Sequence, residues 1–294
     1  MRLARTADPF DSAWLKWGRA VAHAQALDRE LARVVQRFQT QWPYTTRTEY
    51  DAKHHCVRVL IDRAELFPPL LGLLIGDAAS NFRASLDHLA WALVITRGRR
   101  TLRPQEELRI YFPIALSKED FNAHFVVNKL LRRTDRAIIR RYQPYVHGKR
   151  KAPFHCLSSL PRITADDKHR IIRPLWAIPQ AGEIRVGAPT NCEVTRVPTK
   201  ATSIILEPDA EVQRIYVRRL KRGGPEPDVY AEVTLQLRPT VDGLVGLKDW
   251  INQTTMHIAG LLFQFGEPPE EIRTLGIQPP GHATSPPHAS PSKG

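Results

Sequence analysis

From Asp11 to about Gln41 apolar residues return every three or four positions, through Trp14, Trp17, Val21, Ala24, Leu27, Leu31, Val34 and Phe38. That is the period of a helix with one buried stripe, and it predicts a long first helix. Between Thr45 and Asp62 β-branched and aromatic residues thicken, and Val57, Val59 and Ile61 alternate with Arg58, Leu60 and Asp62. A strand or hairpin arm is predicted at about 45–62. Pro68-Pro69 then presets the first turn of a second long helix, from Leu70 to about Arg97, which stops at Gly98. At about 100° per residue, Leu71, Ile75, Ala78, Phe82, Leu86, Leu89 and Leu93 form one apolar face, with Ser80, Ala84 and Trp91 nearly opposite. An apolar front with a small-residue back belongs to a helix at the centre of a bundle or at a dimer contact.

Helical spacing returns from about Lys118 to Tyr142, as one or two helices, then over Phe154 to Leu160 and again near Thr164, which is placed to cap an N-terminus. From about Ile171 to Arg238 the period falls to two, in Ile184–Val186, Cys192–Val197, Ser203–Leu206, Ile215–Val217 and Val229–Leu237. Short β-rich runs separated by Pro, Gly and Asp predict an antiparallel sheet or small sandwich. A last helix from Leu244 to Phe265 is apolar enough to need a partner, and the N-terminal bundle is the expected one. Residues 267–294 hold seven prolines among Gly, Ser, Thr and His, the composition of a disordered tail. The predicted class is therefore α+β: a helical bundle over 1–170 carrying the strand arm, a β-rich module over 171–240, a helix over 241–266 packing back on the bundle, and the tail.

The 294 residues are 42% hydrophobic, enough for a substantial core. The formal charge of +13 favours polyanionic partners, nucleic acid first among them, although 32 Arg against 11 Lys is also what a GC-rich genome gives. Cys56, Cys156 and Cys192 are odd in number and far apart, so three buried thiols and a reducing, cytoplasmic setting are expected. No apolar stretch is long enough for a membrane span. Walker A, GxGxxG, HExxH, GxSxG and paired CxxC patterns are missing from the sequence, and neighbours such as His54-His55-Cys56 or His155-Cys156 do not make a compact ligand set alone. Neither a metal nor another cofactor is expected.

The sharpest chemical pattern is Asn81-Phe82-Arg83-Ala84-Ser85-Leu86-Asp87-His88-Leu89-Ala90-Trp91. Arginine can hold a scissile phosphate and histidine can move a proton near neutral pH. Arg47/His54, Arg140/His147, Arg141/His147, Arg150/His155 and Arg162/His169 repeat a similar spacing, and the long small-backed helix is what singles out Arg83/His88. In that context the segment resembles the RxxxxH signature of the HEPN superfamily, whose pair cleaves RNA without a metal, commonly across a homodimer. The resemblance implies Arg83 as the phosphate ligand and His88 as the proton-transfer group; at about 100° per residue, Asn81 and Asp77 lie within a few tens of degrees of His88 and are its candidate orienting residues. The same residues also read as an i,i+4 Arg83–Asp87 ion pair beside a buried, hydrogen-bonded His88.

A second resemblance covers about residues 10 to 265. Leu74-Ile75-Gly76-Asp77 and the Asn81–Trp91 run, with Phe112-Pro113-Ile114, Gln143-Pro144-Tyr145 and Asp167-Lys168-His169-Arg170, are similar to a family of uncharacterised bacterial proteins. It implies that the second helix and the Asp167–Arg170 turn form one unit; that turn offers acid, base and cation within four residues, which adds His169 to the catalytic candidates. For the nucleic-acid surface the candidates are Lys129, Arg132, Arg133, Arg136 and Arg140, read as one helical stripe, then Lys149, Arg150 and Lys151, with Lys168 and Arg170. The leading reading is a HEPN-like RNA-binding protein, extending to a metal-independent endoribonuclease of stress or phage defence. A non-catalytic module binding nucleic acid or a protein is the first alternative, and a small-molecule sensor the second.

Overall fold

The computed structural model describes residues 8–41, 44–65, 67–97, 102–169, 176–186, 191–197, 208–221, 225–227, 229, 231–241 and 245–274, with 39–40, 168–169, 176–186, 231–241 and 245 described as backbone only. In chain order the elements are α1 (Asp11–Thr40), β1 (Tyr44–Asp51), β2 (Cys56–Ala64), α2 (Pro69–Arg97), α3 (Pro104–Glu107), α4 (Lys118–Ala123), α5 (Arg133–Arg141), α6 (Leu160–His169), β3 (Trp176–Val186), β4 (Cys192–Arg196), β5 (Glu211–Arg219), β6 (Ala231–Val241), β7 (Val245–Gly246), α7 (Leu247–Leu262) and α8 (Glu270–Arg273). The fold is α+β, with antiparallel sheet in the middle of the chain and a C-terminal helix packed on the N-terminal helices. Two compact units divide it, one of residues 1–26, 74–171 and 250–294, the other of 27–73 and 172–249. Among the described residues no helix is long and apolar enough to cross a membrane.

In the helical unit, indole and hydroxyl donors tie the apolar faces together. Buried Ser85 of α2 donates to the Ala13 carbonyl of α1 at 2.8 Å. Trp17 Nε1 donates to the Thr255 carbonyl of α7 at 3.0 Å, and Trp250 of α7 meets Phe82 of α2 edge-on at 6.5 Å. The face read from the sequence, from Leu71 to Leu93, is buried throughout, while Trp91 on the other side is exposed.

Several boundaries differ from the sequence reading. The 118–142 segment is not one helix: Ser117 caps α4 by accepting the Asp120 N–H at 3.0 Å, a π turn covers Val126–Leu130, and Leu131 and Arg132 are extended before α5. In one continuous helix Phe121 and Ile139 would lie on the side away from Val126, Val127 and Leu130, and the breaks allow all five to be buried. The basic residues from Lys129 to Arg140 therefore do not form a single stripe. The helix expected over Phe154–Leu160 is instead a 3₁₀ turn at Ala152–Phe154 and a series of turns, with Ser158 and Ser159 hydroxyls donating to the Ala152 and Cys156 carbonyls. Helix α6 begins at Leu160 with Pro161 in its first turn, and Thr164 sits inside it, donating to the Leu160 carbonyl rather than capping an end. The C-terminal helix is shorter than expected, and the first residues assigned to the tail are structured, with Pro269 preceding α8 and Ile272 buried; 275–294 lie outside the described residues.

In the other unit the first sheet has the order β1-β2-β5-β4, all antiparallel. The strand arm is thus a member of the sheet: Cys56 pairs with Tyr216 and Val57 with Ile215. Tyr44, Val57, Val59, Ile61, Val212, Ile215 and Val217 make its core. Asp51 closes the β1–β2 hairpin, its carboxylate accepting from the N–H groups of Lys53 and His54 and meeting His54 Nδ1 at 2.7 Å. A second sheet has the order β3-β6-β7. The Ser203–Leu206 strand lies outside the described residues.

Candidate functional site

The polar side of α2 is largely committed to holding the helical unit together. Arg83 donates from Nε to Asp87 at 3.2 Å and from Nη2 to the Phe112 carbonyl at 3.0 Å, and Asp87 accepts the Phe112 N–H at 2.8 Å. This is a latch between α2 and the extended 111–112 segment. Beyond it the Tyr111 ring stands 6.0 Å from the Arg83 guanidinium and 4.7 Å, edge-on, from His124. Both ring nitrogens of His124 lack a hydrogen-bond partner, and burial, with Arg83 adding to it, pushes its pKa down to about 4.

His88 is half-buried, and burial first, then Lys16 of α1, hold its pKa below the ordinary histidine value while Asp87 opposes them. Asn81 Nδ2 donates to the Asp77 carbonyl at 2.8 Å, a bond within the helix, and Asp77 Oδ2 lies 3.7 Å from His23 Nδ1 of α1. The structure thus engages Arg83 with Phe112 and Asp77 with His23, and gives neither Asn81 nor Asp77 a bond to His88. Asp167 of α6 does reach α2: Ser80 donates to it at 3.4 Å, and its Oδ1 would lie 2.1 Å from a Cβ at Gly76. Arg170 and the side chains of Lys168 and His169 lie outside the described residues.

Of the basic candidates, Lys129, Arg132, Arg133, Arg140, Lys149, Arg150 and Lys151 are exposed, whereas Arg136 is half-buried and donates to Asn122 at 2.7 Å. In the sheet unit Arg218 and Arg219 end β5, where Arg218 pairs with Glu193 and Arg219 lies 4.9 Å over the Tyr50 ring.

Lys151 leads to a cleft of about 710 Å³ in the helical unit, inside the range of small-ligand sites. One wall comes from Arg141, Tyr142, His147, Lys151, Phe154, His155 and Cys156, the other from Gln253, Met256, His257 and Gly260 of α7. Tyr142 spans the walls, donating from its hydroxyl to the Gly260 carbonyl at 2.9 Å and accepting at its own carbonyl from His257 Nε2 at 2.9 Å. Trp250 Nε1 donates to the Cys156 carbonyl at 3.1 Å, fixing the floor. Three imidazoles follow one another: His147 stacks on His155 at 4.9 Å, and His155 meets His257 edge-on at 4.6 Å. Burial, with the other two imidazoles adding to it, pushes the His155 pKa down to about 3; burial also lowers that of His257 and pushes the Cys156 thiol up to about 12. At neutral pH the floor is uncharged and the rim is cationic.

The sequence reading noted Arg141/His147 and Arg150/His155 as repeats of a spacing and did not connect them to His257, about a hundred residues later. The usable signal was a histidine on a helix otherwise apolar at that turn, with Ile258, Leu261 and Leu262 buried around it. Compared with protein-family models, curated proteins and solved structures, the chain matches none.

Proposed function

We propose that this protein binds single-stranded RNA along the histidine cleft and holds it without cutting it. The observation that carries the reading is the pairing, in one open cleft, of cationic rim residues with flat side chains free to stack. Arg141 and Lys151 line it, Lys149 and Arg150 are exposed beside Lys151, and Phe154 is 52% exposed next to the His147–His155 stack. Phosphates suit the first set and bases the second, the combination that single-strand binders use. The net charge of +13 adds a long-range pull on any polyanion.

Protonation and geometry both favour binding without cleavage. Burial pushes the His155 pKa down to about 3, so near neutral pH it carries no imidazolium proton to give to a leaving group. Cleavage by the Arg83/His88 pair would require Arg83 to leave both Asp87 and the Phe112 carbonyl. Fluorescence anisotropy with a labelled oligouridylate, repeated over a range of salt, tests the proposal. Affinity should fall as salt rises, and Phe154→Ala should cost about 1–3 kcal/mol, the worth of one base stack. The RNA should be recovered intact. Salt-independent or absent binding, or EDTA-resistant cleavage that disappears in His88→Ala, would overturn it.

A further inference from the structure

We propose that His155, Cys156 and His257 form a site for one divalent transition-metal ion of the zinc class at the floor of the cleft, with a fourth coordination position left to a non-protein ligand. Among the described residues these three offer ligand atoms that all lie within 4.8 Å of one another. Cys156 Sγ is 3.9 Å from His155 Nδ1. Tetrahedral zinc with bonds of about 2.0–2.3 Å sets its ligand atoms roughly 3.3–3.8 Å apart, so the group closes on an ion by side-chain shifts of about 1 Å or less.

The surroundings support the same assignment. His257 gives its Nε2 hydrogen to the Tyr142 carbonyl at 2.9 Å, which fixes the ring and its tautomer and leaves Nδ1 with a free lone pair. A ring N–H held by a backbone carbonyl is the usual outer-sphere partner of a metal-bound histidine. On His155 the ion would replace the hydrogen bond from the Leu157 N–H to Nδ1 at 3.2 Å and the contact of that nitrogen with Cys156 Sγ. Cys156 would coordinate as thiolate, its proton passing to solvent, with no change of oxidation state. Two nitrogens and one sulfur select zinc-like ions over magnesium or calcium, and three protein ligands define an open site. The other cysteines are placed differently: Cys192 is in the sheet core, and the His54 beside Cys56 is engaged by Asp51.

The test is a cobalt(II) titration of the full chain, stripped first with EDTA, followed by absorbance; it does not depend on RNA binding. The expected result is one equivalent bound, with a sulfur-to-cobalt charge-transfer band and tetrahedral visible bands, both erased by added zinc. Cys156→Ser should abolish the charge-transfer band, His257→Ala should weaken cobalt binding at least 10-fold, and Cys192→Ser should leave the spectrum unchanged. A wild-type titration without the sulfur band overturns the proposal and needs no variant to fold. A band that persists in folded Cys156→Ser overturns it equally.

Discussion

Asp87 carries two loads in the helical unit, neutralising Arg83 and accepting the Phe112 N–H. Its removal leaves a half-buried guanidinium and a backbone donor short of their partner, so Asp87→Ala should lower stability by about 1–3 kcal/mol in urea unfolding. His124, on the far side of the same latch, makes stability depend on pH. Its folded pKa near 4 lies below its unfolded value of 6.5, so the unfolded chain takes up the proton first as pH falls. The contribution is complete above about 6.5 and falls away progressively down to about 4. Because His124 is only partly shielded, the slope should be well under the roughly 1.4 kcal/mol per pH unit of a fully buried group. The drop in melting temperature between pH 7 and pH 4.5 should be smaller in His124→Phe than in the wild type. At this scale the sequence disclosed the Arg83–Asp87 pair, because i,i+4 neighbours on a helix meet wherever that helix goes. It did not disclose Phe112, since a contact across 25 residues depends on the path of the intervening chain.

Helices α2 and α6 meet where Gly76 offers no side chain and Asp167 fills the space. Gly76→Ala turns the exposed Asp167 carboxylate aside and gains the helix propensity that glycine lacks, so stability in urea unfolding should change by no more than about 1 kcal/mol. With Asp167→Ala nothing is left to displace, so Gly76→Ala should be more favourable in that background than in the wild type, a non-additivity that a double-mutant cycle in urea measures directly. Elements with one clean period, α1 and α2, were legible nearly to the residue, because the stripe and the breakers agree. The 118–142 region was not, since its apolar residues fall on different sides of a helix and the breaks at His124 and at Leu131–Arg132 reconcile them. Pairing of β2 with β5 was hidden for another reason: strand partners some 150 residues apart are chosen by register and packing, which local alternation does not encode.

On the scale of the molecule, charge and cleft act together. Basic residues were visible in the sequence, but the stripe they were assigned to is broken, and the cleft that focuses them depends on His257 arriving from α7. Charge reversal at Lys151 should therefore weaken RNA binding and reduce its salt dependence, by about 0.7 in the log–log slope for each phosphate no longer neutralised. Neutralising Arg132 and Arg133, which do not line the cleft, should change that slope less in the same titration. The most direct test of the account is amide hydrogen exchange on the full chain with and without single-stranded RNA. Slower exchange concentrated at 142–157 and 253–260 is the predicted result. Protection confined to the Asp77–Trp91 stretch of α2, with the cleft unchanged, would contradict it and return the site to the Arg83/His88 pair.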